Sequence, residues 1–546
     1  MNPRIPVVFA CVTFTCFTGI SPATLATEPV QQPNIVWVTA EDLSPRLGCY
    51  GDTLAQTPTL DQLASEGHRY TRAFATYGVC APARHSIITG MYPATNGAGG
   101  MRTWKHSSAV TDPNDPLLKK FPTYEATPAP EVKCFTEYLR AAGYYCTNRS
   151  KEDYQFRAPI TAWDESSGQA HWRNRPRPDT PFFAVFNYFQ THESQTHQQK
   201  VDEFTDPAAV DVPPYYPDTP TVRKVMARHY DNIRHLDQQV GKLIQELQRD
   251  GLYDQTYIFF YGDHGDGFIR AKRWVYDSGI RVPFLIRLPG GKGAGVVQDR
   301  LISFVDLAPT VLSLAGIPIP DHMQGQAFLG AQAASPRTYV HAARDRMDVA
   351  LDTIRSVHDG RYQYVRNYQP DTPYVQRIPY RDRSEMAQDI LKIAAEGKLG
   401  PDQWQLSRQT KPQEELYDTQ SDPHEINNRA DDPALADKLV ELRAAHQAWT
   451  ETTGDLGHLS EFDLVKKLWP PAGAQPTTAS PTISSSSGLV SIHCETVGAS
   501  IGYRIGDEIR WRLYSAPFQV DPHQKITAQA HRLGWLKSKN AVESVN

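Results

Sequence analysis

The stretch GVCAPARHSIITG, residues 78–90, sets a cysteine two places before a proline and four before an arginine. A metal site would want a second cysteine or a histidine at close spacing, and CAPAR offers none. Proline is tolerated in the first turn of a helix, where its missing N–H is no loss. The run therefore predicts a helix starting at or just after Cys80. The thiol would then sit at the positive end of the helix dipole with Arg84 one turn along, a setting that favours an anion. On residue types alone Cys80 is an activated thiol nucleophile or, more blandly, a buried core thiol.

Other chemistry-bearing residues stand at the ends of apolar runs. Glu41 and Asp42 follow Ile35–Val38, His192 follows Phe182–Phe189, and Asp263 and His264 follow Tyr257–Tyr261. Continuous apolar runs of this length suit strands buried on both faces of a parallel sheet. Ligands of open α/β sheets bind outside the carboxyl ends of the strands, and all three runs carry their polar groups there. Three carboxylates meeting at one edge repel unless a cation joins them.

The elements that must position these groups alternate. VMARHYDNIRHLDQQVGKLIQELQRDG puts Tyr230, Ile233, Leu236, Val240, Leu243, Ile244 and Leu247 on one helical face, with Gly251 as a stop, and TPTLDQLASEG predicts a helix opened by Pro58. The expected fold class is α/β: a large mixed, mostly parallel sheet flanked by helices. Residues 27–363 read as the catalytic domain and 364–469 as a smaller α+β subdomain. Residues 470–488 read as a Pro/Ser/Thr-rich linker, and 489–546 as a small all-β module.

The chain has 546 residues, 21% of them charged, and a formal net charge of −5. Nothing in that balance points to nucleic acid, so a polyanionic substrate would need a local basic pocket. Residues 1–26 read as a cleaved secretory signal: a short apolar stretch after Arg4, then ATLA before Thr27. That predicts a periplasmic or secreted protein without a membrane span. Five cysteines lie beyond the signal, an odd number, so at least one is unpaired within the monomer; Cys80 is the one expected.

Cysteine, any residue, proline, a small residue, arginine and then IITG resembles the signature of the type I sulfatases, of the alkaline-phosphatase-like superfamily. NIVWVTAEDLSPRLGCYG, TPTLDQLASEGHRYTRAFA, YGDHGD, KRWVYDSGIRVPFLIRLPG, FVDLAPTVLSLAGIPIP and ELYDTQSDPHEINN are similar to sulfatase segments in sulfatase order. The resemblance implies that a separate maturation enzyme converts Cys80 to Cα-formylglycine, whose hydrate is the nucleophile. It implies one calcium ion held by Glu41, Asp42, Asp263, His264 and the modified Cys80. It implies sulfate-binding roles for Lys151 and Lys272, a general-acid role for His192, and a role for Arg84 in holding the hydrated aldehyde. The chain departs from the family pattern in three places. Glu41–Asp42 replace two aspartates, His264 stands where many members have asparagine, and Asp153 stands where many have histidine.

The implied substrate is a sulfated polysaccharide or its oligosaccharides, with Trp104, Trp163 and Trp172 as aromatic residues suited to sugar. Two rival readings come from the same residues. One is a phosphoryl or phosphonate ester hydrolase of the same superfamily. The other is a non-catalytic protein that binds sulfated glycan, suggested by Asp153 and the appended β module.

Overall fold

The computed structural model describes residues 32–103 and 121–545. The signal segment and Trp104 lie outside them. No helix among the described residues is long and apolar enough to cross a membrane.

Nine strands form the main sheet: β1 (Asn34–Ala40), β2 (His68–Phe74), β3 (Tyr145–Arg149), β4 (Glu165–Ser166), β5 (Phe182–Tyr188), β6 (Thr256–Gly262), β7 (Arg281–Arg287), β8 (Val296–Gln298) and β9 (Ile302–Ser303). Their order is β4-β3-β5-β1-β6-β7-β2-β8, with β9 also beside β2. β7 runs antiparallel to both β6 and β2; the other pairings are parallel. The sheet is thus mixed and mostly parallel, as expected.

Side chains alternate across a strand, so a strand covered on both faces must be apolar throughout. In β1, Ile35 and Trp37 join one core while Val36, Val38 and Ala40 join the other. The long helix Pro220–Arg249 covers the second face through Ile233, Leu236, Val240, Leu243 and Leu247. Parallel register then fixes the site. Ala40 is level with Tyr188 of β5 and Gly262 of β6, so the residues after these three strands emerge at one edge.

A second sheet is antiparallel, with β10 (Val340–Arg344), β11 (Ile354–His358), β12 (Tyr362–Asn367) and β13 (Glu414–Asp418) in order. The helix Ala436–Thr453 packs on it through Leu439 and Leu442. The boundary read at 363/364 falls inside β12, because this sheet begins at Val340. The segment read as a linker, 470–488, holds the strand Thr482–Ser486, paired with Leu489–His493. Thr482, Ser484 and Ser486 are exposed along the edge of that hairpin, which is why the composition resembles a linker.

Candidate active site

The helix Cys80–Thr89 is buried along its whole length. Cys80 is its first residue, and its N-cap, Val79, makes no side-chain cap. The N–H groups of a first turn have no partner within the helix, so a helix opened by Val79 leaves them for a ligand. Pro82 falls in that turn and gives up one donor there at no cost. The approach to the helix is close: a Cβ on Gly78 would strike the backbone of Trp274.

Cys80 is fully buried. Its Sγ lies 3.2 Å from His264 Nε2 and 3.9 Å from both Glu41 Oε2 and Asp42 Oδ1. His264 Nδ1 faces the Gly265 carbonyl oxygen at 2.9 Å, while Nε2 lies 3.1 Å from Asp42 Oδ1 and 3.5 Å from Asp263 Oδ1. Arg84 binds the rest of the group. Its Nη2 donates to Glu41 Oε1 at 2.7 Å and Asp263 Oδ2 at 3.2 Å, and its Nη1 donates to Asn187 Oδ1 at 2.7 Å. Asn187 Nδ2 in turn donates to Asn148 Oδ1 at 2.9 Å, which fixes the amide that Arg84 uses.

Two lysines close the cluster. Lys272 Nζ lies 2.7 Å from Asp42 Oδ2 and 3.0 Å from Glu193 Oε1. Lys151 Nζ pairs with Glu41 Oε2. His192, 5% exposed, caps the short helix Glu193–Thr196, and its Nδ1 accepts from the Ser194 backbone N–H at 3.2 Å. In the neutral ring that places the proton on Nε2. All nine residues singled out in the sequence therefore meet at one edge.

The electrostatics follow from burial and proximity. Burial pushes the Asp42 carboxyl up, but Lys272, His192 and His264 outweigh it and hold it well below the usual range. Burial alone would lower His264; Asp263, Asp42 and Cys80 instead raise it well above its ordinary value. The Lys272 ammonium is likewise lifted, against burial, by Asp42, Cys80 and Glu193. His192 goes the other way, pushed down to about 3 by burial and by Lys272.

The donor set fits a divalent cation. Ligand atoms of Glu41, Asp42, Cys80 and His192 lie within 4.8 Å of one another, as do those of Cys80, Asp263 and His264. Three carboxylates supply hard oxygen donors and a charge of the sign calcium needs. With Nδ1–H donating to the Gly265 carbonyl oxygen, His264 would offer an unprotonated Nε2 to such an ion.

Several members of the site escape a sequence reading. Arg273 is buried and forks onto Glu193 at 2.8 and 3.1 Å. Arg102 binds Asp153 through Nε at 3.2 Å and Nη2 at 3.0 Å. Asp153 is pulled down to about 2, against burial, by Arg102 and Lys151. Asp42, Arg102, Asp153, Arg273 and Asp348 all have positive φ, a strained conformation for non-glycine residues that gathers at functional sites. Trp163 and Trp172, by contrast, are core residues stacked on Phe183 and Phe182, so they offer sugar no surface.

The family model described as Sulfatase matches residues 33–317. The chain is 43% identical to an ulvan-active sulfatase of Formosa agariphila over 93% of this chain and 91% of that protein. Among solved structures, a 2-O GAG sulfatase aligns with a TM-score of 0.57 at 18% identity, covering 78% of this chain and 93% of the other. A phosphonate monoester hydrolase from Silicibacter pomeroyi aligns with a TM-score of 0.54 at 17% identity, covering 78% and 96%. These two establish the shared alkaline-phosphatase-like fold. The family match and the 43% identical relative settle the affiliation: the chain belongs to the sulfatase family of sulfuric ester hydrolases.

Proposed function

We propose that the protein is a secreted or periplasmic enzyme that removes sulfate from a sulfated polysaccharide or its oligosaccharides, with ulvan as the first substrate to test. Cys80, matured to formylglycine by a separate enzyme, is the nucleophile. Glu41, Asp42, Asp263, His264 and the modified Cys80 hold one calcium ion. The observation that carries this reading is the meeting of these five residues with Arg84, Lys151 and Lys272 around Cys80.

A sulfate ester resists hydrolysis because a nucleophile must approach sulfur through a shell of negative oxygens. Bound calcium would add positive charge at that shell, and a formylglycine hydrate would supply the attacking hydroxyl. The chain's own groups do the rest. Arg84, tied to Glu41, Asp263 and Asn187, is held rigid beside the nucleophile. Lys151 and Lys272 place ammonium groups where sulfate oxygens would lie, and both stay charged against burial. As the S–O bond to the sugar breaks, the leaving oxygen takes the Nε2 proton of His192 in its imidazolium form, which leaves the neutral ring; in the charged form Nδ1–H donates to Ser194 Oγ, 2.9 Å away. An anionic sulfate beside that ring raises its proton affinity, offsetting burial and Lys272.

The test is release of inorganic sulfate from ulvan oligosaccharides, run beside a phosphonate monoester. Sulfate release that is lost in Cys80→Ala supports the reading. Turnover of the phosphonate alone, or undiminished release by Cys80→Ala, contradicts it.

A further inference from the structure

We infer that Phe189 is a platform for a second saccharide ring, one residue beyond the ring that carries the scissile sulfate. This rests on the reading of the site as a glycan sulfatase with His192 as proton donor. Phe189 follows β5 and is 49% exposed, whereas the site residues behind it are buried. Its ring stacks on the His192 imidazole with centroids 4.3 Å apart and planes at 19°. Tyr380 approaches the same imidazole at 6.3 Å and 50°, and the exposed Arg383 guanidinium lies 5.4 Å from the Tyr380 ring centroid. Two aromatic rings and a guanidinium therefore lie on the His192 side of the site.

The geometry says which ring this platform receives. The apolar C–H face of a pyranose packs on a flat aromatic face, as other apolar groups do. One face of Phe189 is taken by His192. A sugar on the other face sits about 4 Å outside the phenyl plane, at van der Waals contact. Added to the 4.3 Å between the Phe189 and His192 centroids, that puts it roughly 8 Å from the imidazole. A leaving oxygen must come within about 3 Å of His192 Nε2 to take its proton. The ring on Phe189 is thus a neighbour of the sulfated ring. Arg383 adds positive charge suited to an acidic saccharide, and the buried Trp163 and Trp172 cannot serve in its place.

The test compares sulfate release from the sulfated monosaccharide and from longer oligosaccharides of one ulvan digest, with unaltered protein, Phe189→Ala and Phe189→Leu. Leucine keeps an apolar contact on His192 but has no flat face. The unaltered protein should favour the longer fragments by about tenfold in kcat/KM, equivalent to about 1.4 kcal/mol. Both variants should lose that preference through KM, and in Phe189→Leu, which keeps a contact on His192, kcat and the monosaccharide values should stay within about twofold of the unaltered protein. A length preference that survives in both variants overturns the platform, as does an equal fall in kcat on every fragment, and either leaves the sulfatase reading standing. No sulfate release from any fragment by the unaltered protein overturns both.

Discussion

Glu193 offers a test of the electrostatic frame, because it supports two cations at once. Its carboxylate lies 3.0 Å from Lys272 Nζ and takes a fork from Arg273 at 2.8 and 3.1 Å, with all three side chains buried. Glu193→Gln keeps the volume and removes the charge. At an effective dielectric of about 20, a pair 3.0 Å apart attracts by about 5 kcal/mol. The cost of burying the charges offsets part of that, and breaking such a pair costs about 3–5 kcal/mol. A fold of about 500 residues unfolds with an entropy of about 1 kcal/mol/K, so the melting temperature should fall by about 3–5 °C. Lys272→Met should cost a similar amount, because it removes a cation that Asp42 and Glu193 share. The double variant should cost less than the sum, since the Lys272–Glu193 interaction can be lost only once. Thermal unfolding of all four proteins at one scan rate reads this out. A shift under about 1 °C for Glu193→Gln, or strict additivity in the double variant, would refute the reasoning.

Calcium should stabilise the fold by mass action. At a hundredfold excess over its dissociation constant the gain is about 2.7 kcal/mol, or about 3 °C here. Exhaustive chelation should remove both that increment and sulfate release, and calcium should restore both; an unchanged melting temperature would count against the site. His85 gives a pH dependence of predictable sign. It is buried, faces the Tyr154 carbonyl oxygen at 2.9 Å through Nδ1 and the Asn96 side-chain amide nitrogen at 2.9 Å through Nε2, and is pushed down to about 4, mainly by burial. The unfolded chain therefore takes up the proton first, so the contribution is complete above about pH 6.5 and is lost as pH falls toward 4. The full loss is about 3 kcal/mol. The fall in melting temperature between pH 7 and 4.5 should be smaller in His85→Gln than in the unaltered protein, and equal falls would contradict the assignment.

The sheet was legible because burial on both faces leaves a plain trace. Three apolar runs ended in polar residues, and parallel register brought those ends level at Ala40, Tyr188 and Gly262. The helix at Cys80 was legible because Pro82 is acceptable only in its first turn. Pairings between distant segments left no local mark. Arg273 finds Glu193 eighty residues away and Arg102 finds Asp153 fifty-one residues away, so the residues next to either arginine give no sign of its partner. The tryptophans misled for a related reason: an indole that fills a core and one that receives a sugar have the same composition. The boundary read at 363/364 cuts β12 because that strand, YQYVRN, buries the polar Gln363 and Asn367 and so makes no apolar run.

On the proposed reading, this cluster of cations and carboxylates serves an oxidised former thiol at Cys80. The most direct measurement is to prepare the protein with graded amounts of the maturation enzyme, determine by mass spectrometry the fraction of Cys80 carried as the aldehyde, and follow sulfate release from each preparation. The account predicts activity that rises in proportion to the converted fraction and extrapolates to zero. Full activity in protein whose Cys80 remains a thiol would contradict it.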